Sequence, residues 1–217
     1  YILGASYYAT SEYAQAIKYF KLSSETTDSP IQTIDAYMKI GKISVTIRDF
    51  EAARTYYLKA SREIDVLLKS NPKDTTLNSL AGQCYEKLGE LMGYSKLYSE
   101  QLRLYNQSIY YLKVAVADES HPNYLQHVTL LGFSTKRLAE AYKKQGGDVV
   151  GTFKEAIETY EKVLAIIPQS VDTLEKLGHA CTSLMRETRK ENKLEEFFQA
   201  FEKAKTAFST VIELAPK

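Results

Sequence analysis

The residues of this 217-residue chain best suited to metal or nucleophilic chemistry are three histidines and two cysteines. His121, His127 and His179 have no cysteine or second histidine at a spacing that closes a metal site. His121 precedes Pro122 and so falls in a connector, with a surface or capping role; His127 falls early in a helix. Gly146-Gly147 and Gly151 surround Asp148-Val149-Val150, which lacks the lysine and the spacing of a phosphate loop and reads as a helix-ending turn. Asn106-Gln107-Ser108 fits a glycosylation acceptor formally, but it lies inside a helical pattern. Carboxylates are abundant and scattered over helix exteriors. These residues predict no catalytic site, no metal and no cofactor, hence a protein that is not an enzyme.

The composition narrows the class. Hydrophobic residues make up 44% and charged residues 25%, enough apolar surface to fold. The formal net charge of +1 gives no reason to expect nucleic acid, which calls for a strongly basic face. No stretch approaches the ~18 consecutive apolar residues of a membrane span. The five prolines, Pro30, Pro72, Pro122, Pro168 and Pro216, fall ~40–50 residues apart, a period of helical solenoids. Each marks a helix boundary, because a proline inside a helix costs ~3 kcal/mol. Tyrosine is unusually frequent, at 17, with no tryptophan; its large ring and polar tip suit the walls between stacked helices.

Between the prolines one unit recurs. Leu3-Gly4 and Tyr7 share a helical face, Thr10-Ser11-Glu12 breaks the helix, and Ala16, Phe20 and Ser23 line a second one. Gly4 and Ala16 are small enough for two antiparallel helices to approach, with Tyr7 and Phe20 filling the space beside them. The second unit runs through Tyr37, Ile40, Gly41 and Ser44 to Ala53, Tyr57 and Ala60. The third pairs Leu80, Ala81 and Cys84 with Tyr105, Ser108, Leu112 and Ala115. The fourth pairs Leu138, Ala139 and Tyr142 with Phe153, Ala156, Tyr160 and Val163. The fifth pairs Leu177, Gly178 and Cys181 with Ala204, Phe208 and Val211.

This pattern resembles the tetratricopeptide repeat family: a large-small pair, an aromatic one turn on, then an alanine and an aromatic on the second helix, with a closing proline. The resemblance covers the whole chain in five units, 1–30, 31–72, 73–121, 122–169 and 170–217. It implies an all-α, right-handed α-α superhelix of about ten antiparallel helices, a single repeat domain. The family period is about 34 residues, and the last three units here are longer. Leu131-Gly132 precedes Leu138-Ala139 by seven residues, and Leu80-Ala81 precedes Leu88-Gly89 by eight. Seven or eight residues is about two turns, which returns the apolar stripe to nearly the same face, so the later helices are expected to be extended. The abrupt ends suggest a segment of a longer protein, or ends covered by a partner. Cys84 and Cys181 occupy core slots two units apart, too far for a disulfide, and unpaired thiols favour a reducing, cytoplasmic setting.

What the family implies for function is a groove lined by the outer faces of the first helices. Those faces carry Tyr8 with Ala5, then Lys39 and Lys42, then a mixed set of Ser79, Gly82 and Glu86, then Lys136, Glu140 and Lys143, and finally Lys176 and His179. Ordinary solvated lysines would look the same; a mildly basic groove would take an acidic or helical segment of another protein. The family's lysine-and-asparagine clamp for a terminal carboxylate is not matched, since Tyr1 and Ala5 stand at its first slots. The leading expectation is a protein-interaction scaffold or adaptor. The alternatives are a regulatory or substrate-recruiting domain of a larger enzyme, and a domain that self-associates through its ends.

Overall fold

The structure, a computed structural model, describes residues 1–215. Pro216, expected to close the last unit, lies outside the described residues. Ten helices follow one another: α1 (Ile2–Ala9), α2 (Tyr13–Thr26), α3 (Pro30–Thr46), α4 (Phe50–Ser70), α5 (Thr75–Tyr94), α6 (Tyr98–Ala115), α7 (Tyr124–Gln145), α8 (Val149–Ile166), α9 (Val171–Lys190) and α10 (Leu194–Leu214). No strand occurs among the described residues. Each helix packs mainly on its neighbours in sequence, with lighter contacts from α5 to α7 and from α7 to α9. The odd-numbered helices therefore stand side by side, and the architecture is the expected right-handed solenoid of antiparallel pairs.

Local chemistry fixes where helices start and stop. Ser29 caps α3 by accepting from Gln32 N, with Pro30 as the first helical residue. Asp49, Asp74 and Asp148 cap α4, α5 and α8 in the same way, each such cap contributing ~1 kcal/mol. Within four of the five pairs the turn is one motif used again. The amide of Glu12, Asp49, Leu97 and Lys193 donates to the carbonyl five residues back, at 2.8–2.9 Å. The residue before each amide, Ser11, Arg48, Lys96 and Asn192, has a positive φ. This is the Schellman ending, made without glycine. Only α7 ends on glycines, Gly146 and Gly147, at φ 83 and 146.

A glycine of each first helix lies against an aromatic ring of the second: Gly4 on Phe20, Gly41 on Tyr57, Gly89 on Tyr105, Gly132 on Tyr160 and Gly178 on Phe208. The units are thus in register, and they correct the reading of the third and fourth. The matching pairs there are Leu88-Gly89 and Leu131-Gly132, not Leu80-Ala81 and Leu138-Ala139. In the third unit a second layer packs two turns away, Gly82 on Leu112. α5 has 20 residues and α6 has 18, long enough for both contacts to form in one antiparallel register. Extension also begins earlier than the last three units, since α4 already has 21 residues. Leu3, expected on the core face, is 55% exposed; α1 packs mainly on α2.

Candidate functional site

The odd-numbered helices form one wall, and a groove runs along it. One stretch of it is a cavity of about 330 Å³ between α3, α5 and α7, floored by Tyr57 and Leu112. Asp35, Met38, Lys39 and Lys42 come from α3; Leu80, Gln83, Glu86 and Lys87 from α5; Leu130, Phe133 and Ser134 from α7. The groove continues between α7 and α9, where Leu130 and Phe133 are shared and Thr129, Thr173 and Lys176 join them. Helical geometry brings these residues together: positions three and four apart share a face.

The predicted residues do not form one set. Lys39 and Lys42 lie together in the cavity, Lys39 half-buried and Lys42 exposed. Among the described residues neither forms an ion pair. Tyr8 belongs to this end, its ring beneath the Lys42 ammonium at 5.5 Å, and it packs on Tyr13. Lys136 and Glu140 neutralise one another at 3.3 Å. Lys176 lines the second stretch of groove and is paired with Asp172. His179 is exposed and sets its ring edge-on to Phe208, 5.5 Å away. Lys143 is not in the groove: it pairs with Glu187 at 3.0 Å on the rim where α7 and α9 end. In the third unit Ser79 is 4% exposed and Gly82 is buried against Leu112, so neither faces the groove. The shifted Leu-Gly register turns Leu80, Gln83 and Lys87 outward instead, with Glu86 the one residue of the expected set that stays.

Sequence reasoning missed an ion cluster beside the cavity. Lys87 bridges Glu86 at 3.0 Å and Glu90 at 3.2 Å. Arg137 of α7 reaches back across the wall to Glu90 at 3.4 Å and Glu86 at 3.9 Å. Burial pushes the Glu86 carboxyl above its usual range, and Lys87 offsets only part of that. Glu86 Oε1 and Arg137 Nε are both buried without a hydrogen bond. Burial also opposes ionisation of Glu90, but Lys87 and Arg137 outweigh it and hold this carboxyl below its usual range. The charges here are matched and turned on one another, whereas Lys39 and Lys42 are the cavity's cations without an ion pair among the described residues. A spacing of Glu-Lys-x-x-Glu on one helix and Arg on the next first helix was the available signal.

Cys84 and Cys181 are buried and free. The Cys84 thiol donates to the Tyr57 carbonyl oxygen at 3.0 Å, and burial raises both thiols to about 12. No group of three or more metal-ligating side chains occurs among the described residues. No described helix is long and apolar enough to cross a membrane.

A solenoid of helix pairs with a groove along its first helices defines an α-α repeat protein. Residues 34–62 match the tetratricopeptide repeat family by sequence, and the chain as a whole has the tetratricopeptide-repeat fold. No curated protein matches the chain. Among solved structures, MamA is similar over 97% of this chain and 97% of its own, at 17% identity and TM-score 0.54. The apo form of RapI matches 94% of this chain at 16% identity and TM-score 0.64. A Rap protein complexed with Competence and Sporulation Factor matches 96% at 13% identity and TM-score 0.57. This chain spans about half of those two Rap chains, 51% and 52%. At these identities the likeness is one of fold.

Proposed function

We propose that this chain is a single-domain protein-interaction module that holds a segment of a partner protein in the groove of its first helices. The observation that carries the reading is the cavity between α3, α5 and α7. Met38, Leu130 and Phe133 offer apolar contact there, while Lys39 and Lys42 are cations without an ion pair among the described residues. A segment with an apolar anchor beside an aspartate or glutamate satisfies both. A Rap protein of the same fold is solved in complex with Competence and Sporulation Factor, which supports a binding role for this architecture. Two buried free thiols favour a reducing compartment such as the cytoplasm. The chain itself performs no reaction in this reading.

The test is affinity capture of partners by the wild-type chain and by Lys39→Glu/Lys42→Glu. A groove ligand should be lost or weakened in the variant, mainly through slower association. It should also weaken as salt rises, since the screening length falls from ~10 Å at 0.1 M to ~3 Å at 1 M. A partner indifferent to both would sink the groove reading. A second reading, self-association, draws on exposed apolar side chains at the two end helices: Ile2 and Leu3 on α1, Phe198 and Ile212 on α10. Light scattering across a concentration series distinguishes it.

A further inference from the structure

Away from the groove, the C-terminal ends of α7 and α9 stand side by side and carry an unusual charge. α7 has Lys143 and Lys144 in its last turn, and α9 has Arg189 and Lys190. The other first helices, α1, α3 and α5, have no basic residue in that turn. Cations at a helix C-terminus are ordinarily explained by the dipole, at ~0.3–1 kcal/mol each. Three of the five equivalent helices in this solenoid end without them, so the fold does not require them.

The side chains build a surface rather than a scatter. Lys143, Arg186, Arg189 and Lys190 line one shallow depression around Glu187. Burial opposes ionisation of Glu187, but hydrogen bonds from Lys190 and Lys143 outweigh it and hold its carboxyl below the usual range. Its contacts are 2.9 Å to Lys190 and 3.0 Å to Lys143. One carboxylate thus positions two lysines and leaves the excess charge unmatched. Arg186 and Arg189 are exposed and form no ion pair among the described residues.

We infer that this rim is a second docking surface, and that it takes a segment of a partner protein bearing clustered aspartate and glutamate side chains. Guanidinium forks donate to carboxylates in a bidentate geometry, and the depression presents two of them beside two anchored ammonium groups. A protein segment fits better than a nucleic acid. The four cations are confined to one depression of a chain whose net charge is +1, short of the strongly basic face that a nucleic acid calls for. The surface lies outside the cavity that holds Lys39 and Lys42, so it stands or falls separately from the groove.

The experiment uses the chain with a fluorescein-labelled hexaglutamate peptide, followed by anisotropy and by amide shifts in a ¹⁵N-labelled sample. The expected result is saturable binding that hexaglutamine does not show, with shifts centred on residues 143–144 and 186–190. Arg186→Glu/Arg189→Glu should weaken it at least about tenfold at low salt with an unchanged circular dichroism spectrum. Lys69→Glu/Lys73→Glu, at exposed positions remote in sequence from both surfaces, should leave it unaltered. No saturable binding, equal binding to the arginine variant, or loss of binding in the lysine variant would each overturn the assignment. Double-stranded DNA or anionic vesicles binding at these residues while the peptide does not would overturn it as well.

Discussion

Replacing Gly41 by alanine tests the packing rule on which the solenoid rests. A Cβ at this position would lie 2.6 Å from Tyr57 Cε1, 2.8 Å from Cζ and 2.9 Å from Cδ1, all inside van der Waals contact. Tyr57 is 1% exposed and belongs to the core group of Ile34, Ala53, Ala60 and Cys84, so its ring can yield only toward the cavity it floors. Forcing a methyl group into such a core costs ~1–3 kcal/mol. Alanine also favours the helix over glycine by about 1 kcal/mol, which works in the opposite direction. The net expectation is destabilisation of ~0–2 kcal/mol, centred near 1, or a fall in Tm of ~2–4 °C per kcal/mol for a chain of this size. Urea unfolding followed by circular dichroism should show a lower midpoint with the same slope. Tyr57→Leu removes the ring, so the double variant should lose less than the sum of the two single losses. A midpoint for Gly41→Ala above that of the wild type, with an unchanged slope, would refute the close approach.

Acid should destabilise the chain through His127. This imidazole is 3% exposed with no hydrogen bond to Nδ1, and burial, then His121 beside it, lower its pKa from 6.5 while Asp118 partly opposes them. The unfolded chain therefore binds the proton more readily, so stability is full above pH 6.5 and declines as pH falls through the folded value; His127→Gln should flatten that decline between pH 7.5 and 5.5 in urea titrations. The two carboxylates of the ion cluster should respond oppositely. Glu86→Gln, at a site where burial raises the carboxyl, should leave the unfolding midpoint unchanged or higher, whereas Glu90→Gln should lower it because Lys87 and Arg137 favour the ionised form. Both thiols, raised to about 12 by burial, should ignore a thiol reagent at pH 8 in the native protein and react fully once denatured.

The all-α class and the pairing of helices were legible in the sequence because they depend on local patterns. Prolines, cap residues and small-large alternation act within a few residues, and Gly4, Gly41 and Gly178 were recognised as contact points on that basis. The register of the third and fourth units was not legible. Leu80-Ala81 and Leu88-Gly89 lie two turns apart on the same face of one helix, and a helix by itself offers both equally. Which pair meets the aromatic is decided by the partner helix, where Tyr105 stands opposite Gly89 and Leu112 opposite Gly82. That choice turned Leu80 and Gln83 into the groove and buried Ser79. The lysines followed the same division. Their types and faces could be read along the chain, but whether a cation is free depends on what the neighbouring helix brings to it. Glu187 of α9 claims Lys143 of α7, and Arg137 of α7 closes on Glu90 of α5, while among the described residues no acid pairs with Lys39 or Lys42. Sequence alone determined which residues could bear charge outward. Tertiary structure decided which of those charges remain unmatched, because pairing between helices is a property of their packing and has no local period.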